Sequence, residues 1–330
     1  YAFGYLLCSA FSRALVDTTS HHWRPIYWFA AGPPVIIASC RLLLPETEIY
    51  KERERLRIAA KAASNGGQSP GQAFMQQGKV ALKKHWILLS YMVLLMAGFN
   101  FMSHGSQDLY PTLLSNQMNF DANMVTVTQV VSNLGAMAGG VTVGFLSQVF
   151  GRRLSILVCC IGGGALLYPY TYVSSYAIMA AAFFEQFFVQ GAWGVVPIHL
   201  MELSPPAFTT FVVGTSYQLG NLASSASSTI ESRIGEQFPL PPSADGEKRY
   251  QYGRVICIFM GCVFGYLLVL TLIGPENLGK KFGVANDEDA KDALGDSAVA
   301  GVIGQKSRTS EDDIEVAPEK PSSQHVQQES

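Results

Sequence analysis

Residues 86–112 read WILLSYMVLLMAGFNFMSHGSQDLYPT, an apolar run as far as Phe99 that continues without a break into a segment rich in hydrogen-bonding side chains. At about 100° per residue, a helix through this segment has one apolar side, with Phe101, Met102 and Leu109. Its polar side carries Asn100, Ser103, His104, Gln107, Asp108 and Thr112. If the helix spans a bilayer, Asp108 lies roughly 12 Å beyond Asn100, and ionisable groups at such depth indicate function.

The composition is that of a polytopic membrane protein. Hydrophobic residues make up 48% of the chain and charged residues 15%, against roughly 25% charged in soluble domains. The net charge of -2 gives no indication of nucleic-acid binding, so the expected surroundings are the lipid bilayer. The six cysteines lack metal-ligand spacing, and no nucleophile–base pair or phosphate-cradling loop appears. We therefore predict a protein that is not an enzyme and that uses no metal or organic cofactor.

A window of about 19 residues gives eight candidate spans. They lie near 1–16, 26–44, 86–112, 123–147, 154–173, 175–200, 208–230 and 254–273. The connection at 45–85 is rich in Lys and Arg, which predicts a cytoplasmic central loop with a surface helix over 46–63. Residues 275–330 are predominantly polar and predict a disordered cytoplasmic tail. Because the chain opens with Tyr1 inside an apolar segment, we expect it to be truncated at its N-terminus.

The segment 123–153 combines glycine pairs with a basic loop. Gly135 and Gly139, like Gly140 and Gly144, are spaced for close helix approach. The segment ends GFLSQVFGRR over residues 144–153. This resembles the loop signature of the major facilitator superfamily, in which a glycine, a short polar turn and a second glycine precede paired basic residues. The resemblance implies a gate at the cytoplasmic end formed by Gly144, Gly151, Arg152 and Arg153.

Two departures from the superfamily pattern affect the expected gate. Gln148 stands where an acidic residue is commoner, which argues against charge-based gating by this loop. Thr209 and Thr210 stand where sugar-porter relatives usually place a basic residue, which weakens an expected charge pair with Glu202. A basic turn that only obeys membrane topology is the alternative interpretation of the loop.

The polar side of 86–112 resembles a more specific signature. Its pattern, N-x-x-SH-x-x-QD-x-x-x-T over residues 100–112, is similar to that of fungal Jen-type carboxylate transporters, proton symporters for lactate and pyruvate within the sialate:proton symporter branch. Further matches are LPET at 44–47, WGVVPIHLMELSP at 193–205 and YQLGNLAS at 217–224. The resemblance implies an all-α membrane fold whose spans correspond to helices five to twelve of twelve. Residues 1–44 would close the N-terminal half, and 86–274 would form the C-terminal six-helix half.

The residues of the polar stretch have chemistry that suits a carboxylate and a proton. His104 exchanges protons near neutral pH, since the unperturbed pKa of histidine is about 6.5. Asp108 lies one turn away and can hold His104 protonated, while Asn100 and Ser103 donate hydrogen bonds deeper in. The alternative is a polar clamp that only orients the helix, which is equally open for Gln107 and Thr112. Gln218 and Asn221, one turn apart in another span, predict a second wall, with a structural contact between helices as the alternative. Glu185, in an apolar run, is a second proton-site candidate.

These residues predict proton-coupled symport of a short monocarboxylate, lactate, pyruvate or acetate, by alternating access at the plasma membrane. The proton is then the coupling ion. Two alternatives are a porter of another solute, such as sialate, a sugar or phosphate, and a carboxylate sensor with little transport. Lysines in the tail, among them Lys280, Lys281 and Lys306, offer sites for trafficking or ubiquitination machinery.

Overall fold

The computed structural model describes residues 2–46, 50–51, 54–55, 58, 70–204, 209–242 and 248–279. Its helices are α1 (Ala2–Thr18), α2 (Arg24–Leu43), α3 (Pro70–Gln107), α4 (Tyr110–Thr112), α5 (Ala122–Phe150), α6 (Arg152–Tyr172), α7 (Ile178–Leu203), α8 (Thr209–Ser224), α9 (Ser227–Gly235) and α10 (Tyr252–Ile273). A π-helical turn, Leu113–Gln117, follows α4. Two short strands, β1 (Pro239–Leu240) and β2 (Arg249–Tyr250), pair antiparallel before α10.

The chain forms two compact units, residues 1–45 with 82–282 and residues 46–81 with 283–330. All of the predicted site residues belong to the first unit. Helix α3 crosses the boundary between the units and has a non-helical residue, His85, with φ -114° and ψ 20°. The surface helix predicted over 46–63 and the tail predicted from 275 lie mostly outside the described residues.

Each of the eight predicted spans corresponds to a helical segment, which confirms the all-α expectation. In the described part of the chain, five segments are long and apolar enough to cross a membrane: Arg24–Leu43, Leu82–Gln117, Ala122–Phe150, Arg152–Tyr172 and Tyr252–Ile273. Polar side chains in α7, including Glu185 and Gln186, lower its hydropathy, and α8 has only 16 residues. Apolar helices of this kind satisfy their backbone groups internally, as a bilayer requires.

Two of the predicted spans are not continuous helices. The stretch at 86–112 ends its first helix at Gln107, bends at Asp108 and Leu109, and resumes at Tyr110. Pro111 explains the break, because it has no amide hydrogen to donate to the carbonyl of Gln107. Thr112 therefore belongs to a different helix from His104, and the prediction of one continuous polar face is wrong.

The span predicted at 208–230 is also interrupted, at Ser225 and Ala226 between α8 and α9. The hydroxyl of Ser224 donates to the carbonyl of Asn221 at 3.0 Å, and that of Ser225 to the carbonyl of Leu222 at 2.6 Å. Serine side chains that bond to the preceding turn compete with the helical backbone pattern. The break gives α9 an axis of its own, and α9 packs against α10.

Helices α5 and α7 approach each other until their backbones touch. A methyl group added at Gly135 would collide with the carbonyl of Phe183, and one at Gly139 with the carbonyl of Phe187. The predicted close approach of the glycine-bearing helix is confirmed. Because α7 packs against α6 as well as α5, its polar residues lie in the interior of the unit.

Candidate functional site

The polar residues of α3 contact different neighbours and do not form one open face. Asn100 is 4% exposed, and its side-chain amide donates to the carbonyl of Met96 in the same helix at 2.8 Å. Ser103 is half-buried, and its carbonyl accepts a hydrogen bond from the hydroxyl of Ser106 at 3.1 Å. Asn100 therefore has a structural hydrogen bond in this conformation, whereas the residues nearer the bend reach other helices.

His104 and Asp108 form the predicted pair. The Nδ1 atom of His104 lies 3.1 Å from Oδ2 of Asp108, and the two side chains are 38% and 37% exposed. Ser228, at the start of α9, donates its hydroxyl to the same Asp108 oxygen at 3.3 Å. One carboxylate oxygen thus accepts from two helices, and the pair remains open to an incoming solute. This grouping of His104, Asp108 and Ser228 is called the histidine cluster.

Gln107 points away from the histidine cluster. Its Nε2 donates to Oε1 of Gln186 in α7 at 2.9 Å, and Gln186 is 2% exposed. An amide bond between two helices in an apolar interior fixes their register. This contact agrees with the clamp interpretation of Gln107, and it joins α3 to the residue beside Glu185.

Glu185 lies in a buried cluster with two tyrosines. It is 0% exposed, and neither carboxyl oxygen has a hydrogen-bond partner among the described residues. The rings of Tyr110 and Tyr170 stack with centroids 4.1 Å apart, and the Tyr170 hydroxyl donates to the Ser106 carbonyl at 2.6 Å. The Tyr110 hydroxyl is buried without a partner in the same described set, and Glu185 acts electrostatically on both tyrosines. A buried carboxyl without a partner is costly unless it carries a proton or binds something.

Gln218 and Asn221 lie on the exposed side of α8. The opposite side of this helix packs on α3 through Gly220, where an added methyl would come within 2.7 Å of Met96. The two amides are thus available to a ligand, but they do not contact the histidine cluster directly. Thr112 is half-buried in α4, beyond the bend.

Charged hydrogen bonds hold the loop of the predicted gate against a neighbouring helix. Arg152 is 6% exposed and Glu202 2% exposed, and the guanidinium donates to both carboxylate oxygens, at 2.9 Å from Nη2 and 3.1 Å from Nε. Its other terminal nitrogen donates to the hydroxyl of Ser147 at 2.7 Å. The expectation that Thr209 and Thr210 weaken a charge pair with Glu202 is therefore wrong, because Arg152 supplies the positive charge from another helix.

Glu276 completes this network from the segment after α10. Its Oε1 accepts from the backbone amide of Arg152 at 2.7 Å and from that of Arg153 at 3.4 Å. Arg153 donates in turn to the carbonyls of Thr271 and Leu272. Gly151 has φ +93°, and a methyl group there would lie 2.6 Å from the Glu276 carboxylate. Glu276 and Glu202 provide acidic groups at this loop although Gln148 does not, and a gating role for the loop stays a prediction. Arg152, Arg153, Glu202 and Glu276 are called the arginine network.

Sequence reasoning missed Glu276, Ser147, Tyr110 and Tyr170 as members of these clusters. Glu276 follows Gly274 and Pro275 directly after the last span, but nothing in the sequence relates it to a loop 124 residues away. Tyr110 and Tyr170 gave no such signal, since aromatic residues in apolar helices are ordinary core residues. Among the described residues, no group of three or more His, Cys, Asp or Glu side chains is arranged to hold a metal.

These helices, glycine contacts and the basic loop are features expected of the major facilitator superfamily. The profile of the family described as "Sugar (and other) transporter" matches residues 1–287, and the chain belongs to that family. Membership of this family indicates a transporter and not an enzyme.

The more specific similarity is to a yeast protein. The chain is 38% identical over 285 residues to the "Carboxylic acid transporter protein homolog" of Saccharomyces cerevisiae. The match covers 84% of this chain and 46% of the yeast protein, so the chain spans about half the length of that relative. Among solved structures, the inward-open xylose transporter XylE from E. coli is 14% identical to this chain, with a TM-score of 0.47. The match covers 70% of this chain and 57% of the XylE chain. A double-tryptophan XylE mutant is also 14% identical, with a TM-score of 0.43, and the match covers 68% of this chain and 52% of the mutant chain.

Proposed function

We propose that the intact protein is a Jen-type symporter that moves a short monocarboxylate, such as lactate, pyruvate or acetate, together with a proton. The observation that supports this best is the histidine cluster, in which His104 and Ser228 both donate to one oxygen of Asp108. A carboxylate of a substrate presents the same acceptor chemistry as Asp108. It can therefore exchange with Asp108 for these donors without a change in the hydrogen-bond pattern.

The proposed binding step starts with His104 protonated and paired to Asp108. Both side chains are more than one-third exposed, so the substrate anion can approach the edge of this pair. There it accepts a hydrogen bond from His104. The neighbouring hydroxyl donors are Ser103, the residue before His104, and Ser228. Asn100 is assigned a supporting role below them, because its amide is already bonded to the Met96 carbonyl.

Gln218 and Asn221 form the second wall of the proposed path. Their amides are exposed on α8 and add hydrogen-bond donors without adding charge, which allows an anion to be released again. Gln107 holds α3 against α7, and Thr112 borders the path beyond the bend.

Glu185 is the second proton-binding candidate of the proposal. It is fully buried without a hydrogen-bond partner in the described chain, one residue from the Gln186 that accepts from Gln107. A proton held on Glu185 removes the cost of burying its charge. Substitution Glu185→Gln keeps the size and removes the titration, so gradient-driven uptake that survives in this variant with an unchanged pH profile would remove Glu185 from the proposal.

The arginine network is the proposed gate at the other end of the path, with Gly144 and Gly151 bounding the loop that carries Arg152 and Arg153. We place this end, the central loop and the tail in the cytoplasm and the protein in the plasma membrane. The excess of Lys and Arg in residues 45–85 supports this orientation. Tail lysines such as Lys280 then face the cell's trafficking and ubiquitination machinery.

Uptake by proteoliposomes tests the proposal. Full-length protein should accumulate labelled lactate when the outside is made acidic, and collapse of the proton gradient should abolish accumulation. Unlabelled pyruvate and acetate should compete with lactate. Accumulation without a gradient contradicts proton coupling. Competition by xylose, sialate or phosphate in place of the monocarboxylates favours the alternative, a porter of another solute.

A further inference from the structure

A second buried carboxyl lies beside the histidine cluster. Glu231, one turn after Ser228 in α9, is 0% exposed, and neither of its carboxyl oxygens has a hydrogen-bond partner in the described part of the chain. It stands at the end of a predicted span and was not singled out by sequence. Burial of an unpartnered carboxylate is strongly unfavourable, so this side chain needs a proton or a cation.

The electrostatic surroundings of Glu231 provide no such cation. Within the described residues, the charge that acts on it is that of Asp108, the acceptor of Ser228. The arginines of the same end are engaged elsewhere: Arg233 with Glu236 at 3.0 Å, Arg254 over the Phe238 ring at 4.0 Å and Arg249 with the Asn116 carbonyl. Tyr5 of α1 and His104 of α3 also act on Asp108. His104 is therefore the one cationic partner of Asp108 in this described set, and it is shared with no second carboxylate.

Counting charge at this cluster shows what Glu231 decides. With His104 protonated, Asp108 ionised and Glu231 neutral, the cluster has no net charge and a hydrogen-bond donor for an anion. With Glu231 ionised, the same cluster carries one net negative charge in a poorly solvated place and repels an anion. The state of one buried carboxyl thus separates a cluster that accepts a carboxylate from one that rejects it.

We infer that Glu231 is the residue whose protonation admits the carboxylate to the histidine cluster, so that a proton on Glu231 accompanies each bound anion. This inference rests on the proposed proton-coupled transport and names its proton-binding residue. Charge balance is kept, because the proton on Glu231 offsets the charge of the substrate anion. When the cluster opens to the side of lower proton activity, Glu231 loses its proton and the anion is repelled from the site.

The substitution Glu231→Gln makes the side chain permanently neutral at nearly constant size. In full-length protein, the KM for lactate should rise with pH about tenfold for each unit above the point at which Glu231 loses its proton. In Glu231→Gln this tenfold rise should be absent, so that only the pH dependence contributed by His104 remains, and substrate exchange should persist while gradient-driven accumulation is lost. The matched control is Glu236→Gln, which removes an exposed carboxyl paired with Arg233 in the same segment and should keep the wild-type profile.

The outcomes separate this inference from the proposed function. Wild-type protein without gradient-driven uptake overturns the proposed function itself. Gradient-driven uptake in the wild type, with the same KM profile and accumulation in Glu231→Gln, overturns only the inference about Glu231.

If Glu231→Gln does not reach the membrane, infrared difference spectra of Glu185→Gln protein, in which the other buried and unpartnered carboxyl is removed, provide the test. A protonated-carboxyl band should persist above the pH at which exposed carboxyls ionise. In Asp108→Asn this band should disappear at a lower pH, because the neighbouring negative charge is gone. A band that is absent, or that does not respond to Asp108→Asn, contradicts the inference.

Discussion

The two ends of this helix unit, the arginine network and the histidine cluster, both contain charged pairs, but the pairs differ in how completely they are satisfied. At the arginine network, Arg152 and Glu202 are almost fully buried and make three mutual hydrogen bonds. Ser147 accepts a further hydrogen bond from the guanidinium, and Glu276 accepts one from the backbone amide of Arg152. At the histidine cluster, His104 and Asp108 are each more than one-third exposed and share a single contact. The first arrangement holds helices in place, whereas the second leaves donor capacity for a solute.

Energetic principles make the same distinction. Breaking a buried pair strands the remaining charge and costs several kcal/mol, whereas an exposed pair contributes about 0–1 kcal/mol. Substitutions at the arginine network should therefore act on stability. Substitutions at the histidine cluster should act on transport and leave stability nearly unchanged.

The largest effect is expected from Arg152→Ala, which leaves Glu202 buried without its cation. The free energy of unfolding should fall by about 3–5 kcal/mol. Thermal unfolding of the purified protein in detergent measures this. The control is Arg233→Ala, which breaks a pair whose side chains are 75% and 47% exposed and should cost about 1 kcal/mol or less. Equal stability of the two variants would show that the arginine network does not hold the helices.

A smaller loss is expected from Gly151→Ala. The backbone there has φ +93°, and the new methyl group would lie 2.6 Å from a Glu276 oxygen. Backbone strain of about 1–2 kcal/mol adds to the weakened bonds from Glu276 to the amides of α6. Gly164→Ala, inside α6, has no atom within 4 Å of the added methyl and should stabilise the helix by up to about 1 kcal/mol. The same unfolding assay should give opposite signs for the two substitutions.

His104→Ala tests the other side of the comparison. Uptake of lactate should fall about tenfold or more, equivalent to about 1.4 kcal/mol, because the anion loses its charged donor. The unfolding free energy should change by less than about 1 kcal/mol, since the pair with Asp108 is exposed. His21→Ala, at an exposed histidine between α1 and α2, should retain uptake. Wild-type uptake by His104→Ala at equal surface expression would return this stretch to the clamp interpretation.

The local part of this comparison could be predicted from sequence, and the long-range part could not. The contact of His104 with Asp108 follows from a separation of four residues on one helix, and the close approach at Gly135 and Gly139 follows from their spacing. The partners Glu276 and Glu231 lie more than 120 residues from the groups that they affect, and no periodicity in one chain relates such positions. The argument from Gln148 considered only acidic residues within the loop, and the acidic partners of Arg152 lie in other segments.

The break in the stretch at 86–112 could have been predicted from Pro111, but the helical pattern of the polar residues was given more weight. Pro111 removes the hydrogen bond to the Gln107 carbonyl, and the chain bends at the two residues between them. The bend places Asp108 beside Ser228 of α9 and near Glu231.

The smallest effect should come from the exposed amides of α8. Gln218→Ala and Asn221→Ala should leave stability within about 0.5 kcal/mol, because both side chains are exposed. If they line the path, each substitution removes one neutral hydrogen bond, worth about 0.5–1.5 kcal/mol, and raises the KM for lactate about two- to tenfold. Leu222→Ala, 69% exposed on the same helix, is the control and should leave the KM unchanged. An unchanged KM in both amide variants would confine substrate recognition to the histidine cluster. The hydrogen-bond donors left available in that cluster would then account for binding by themselves.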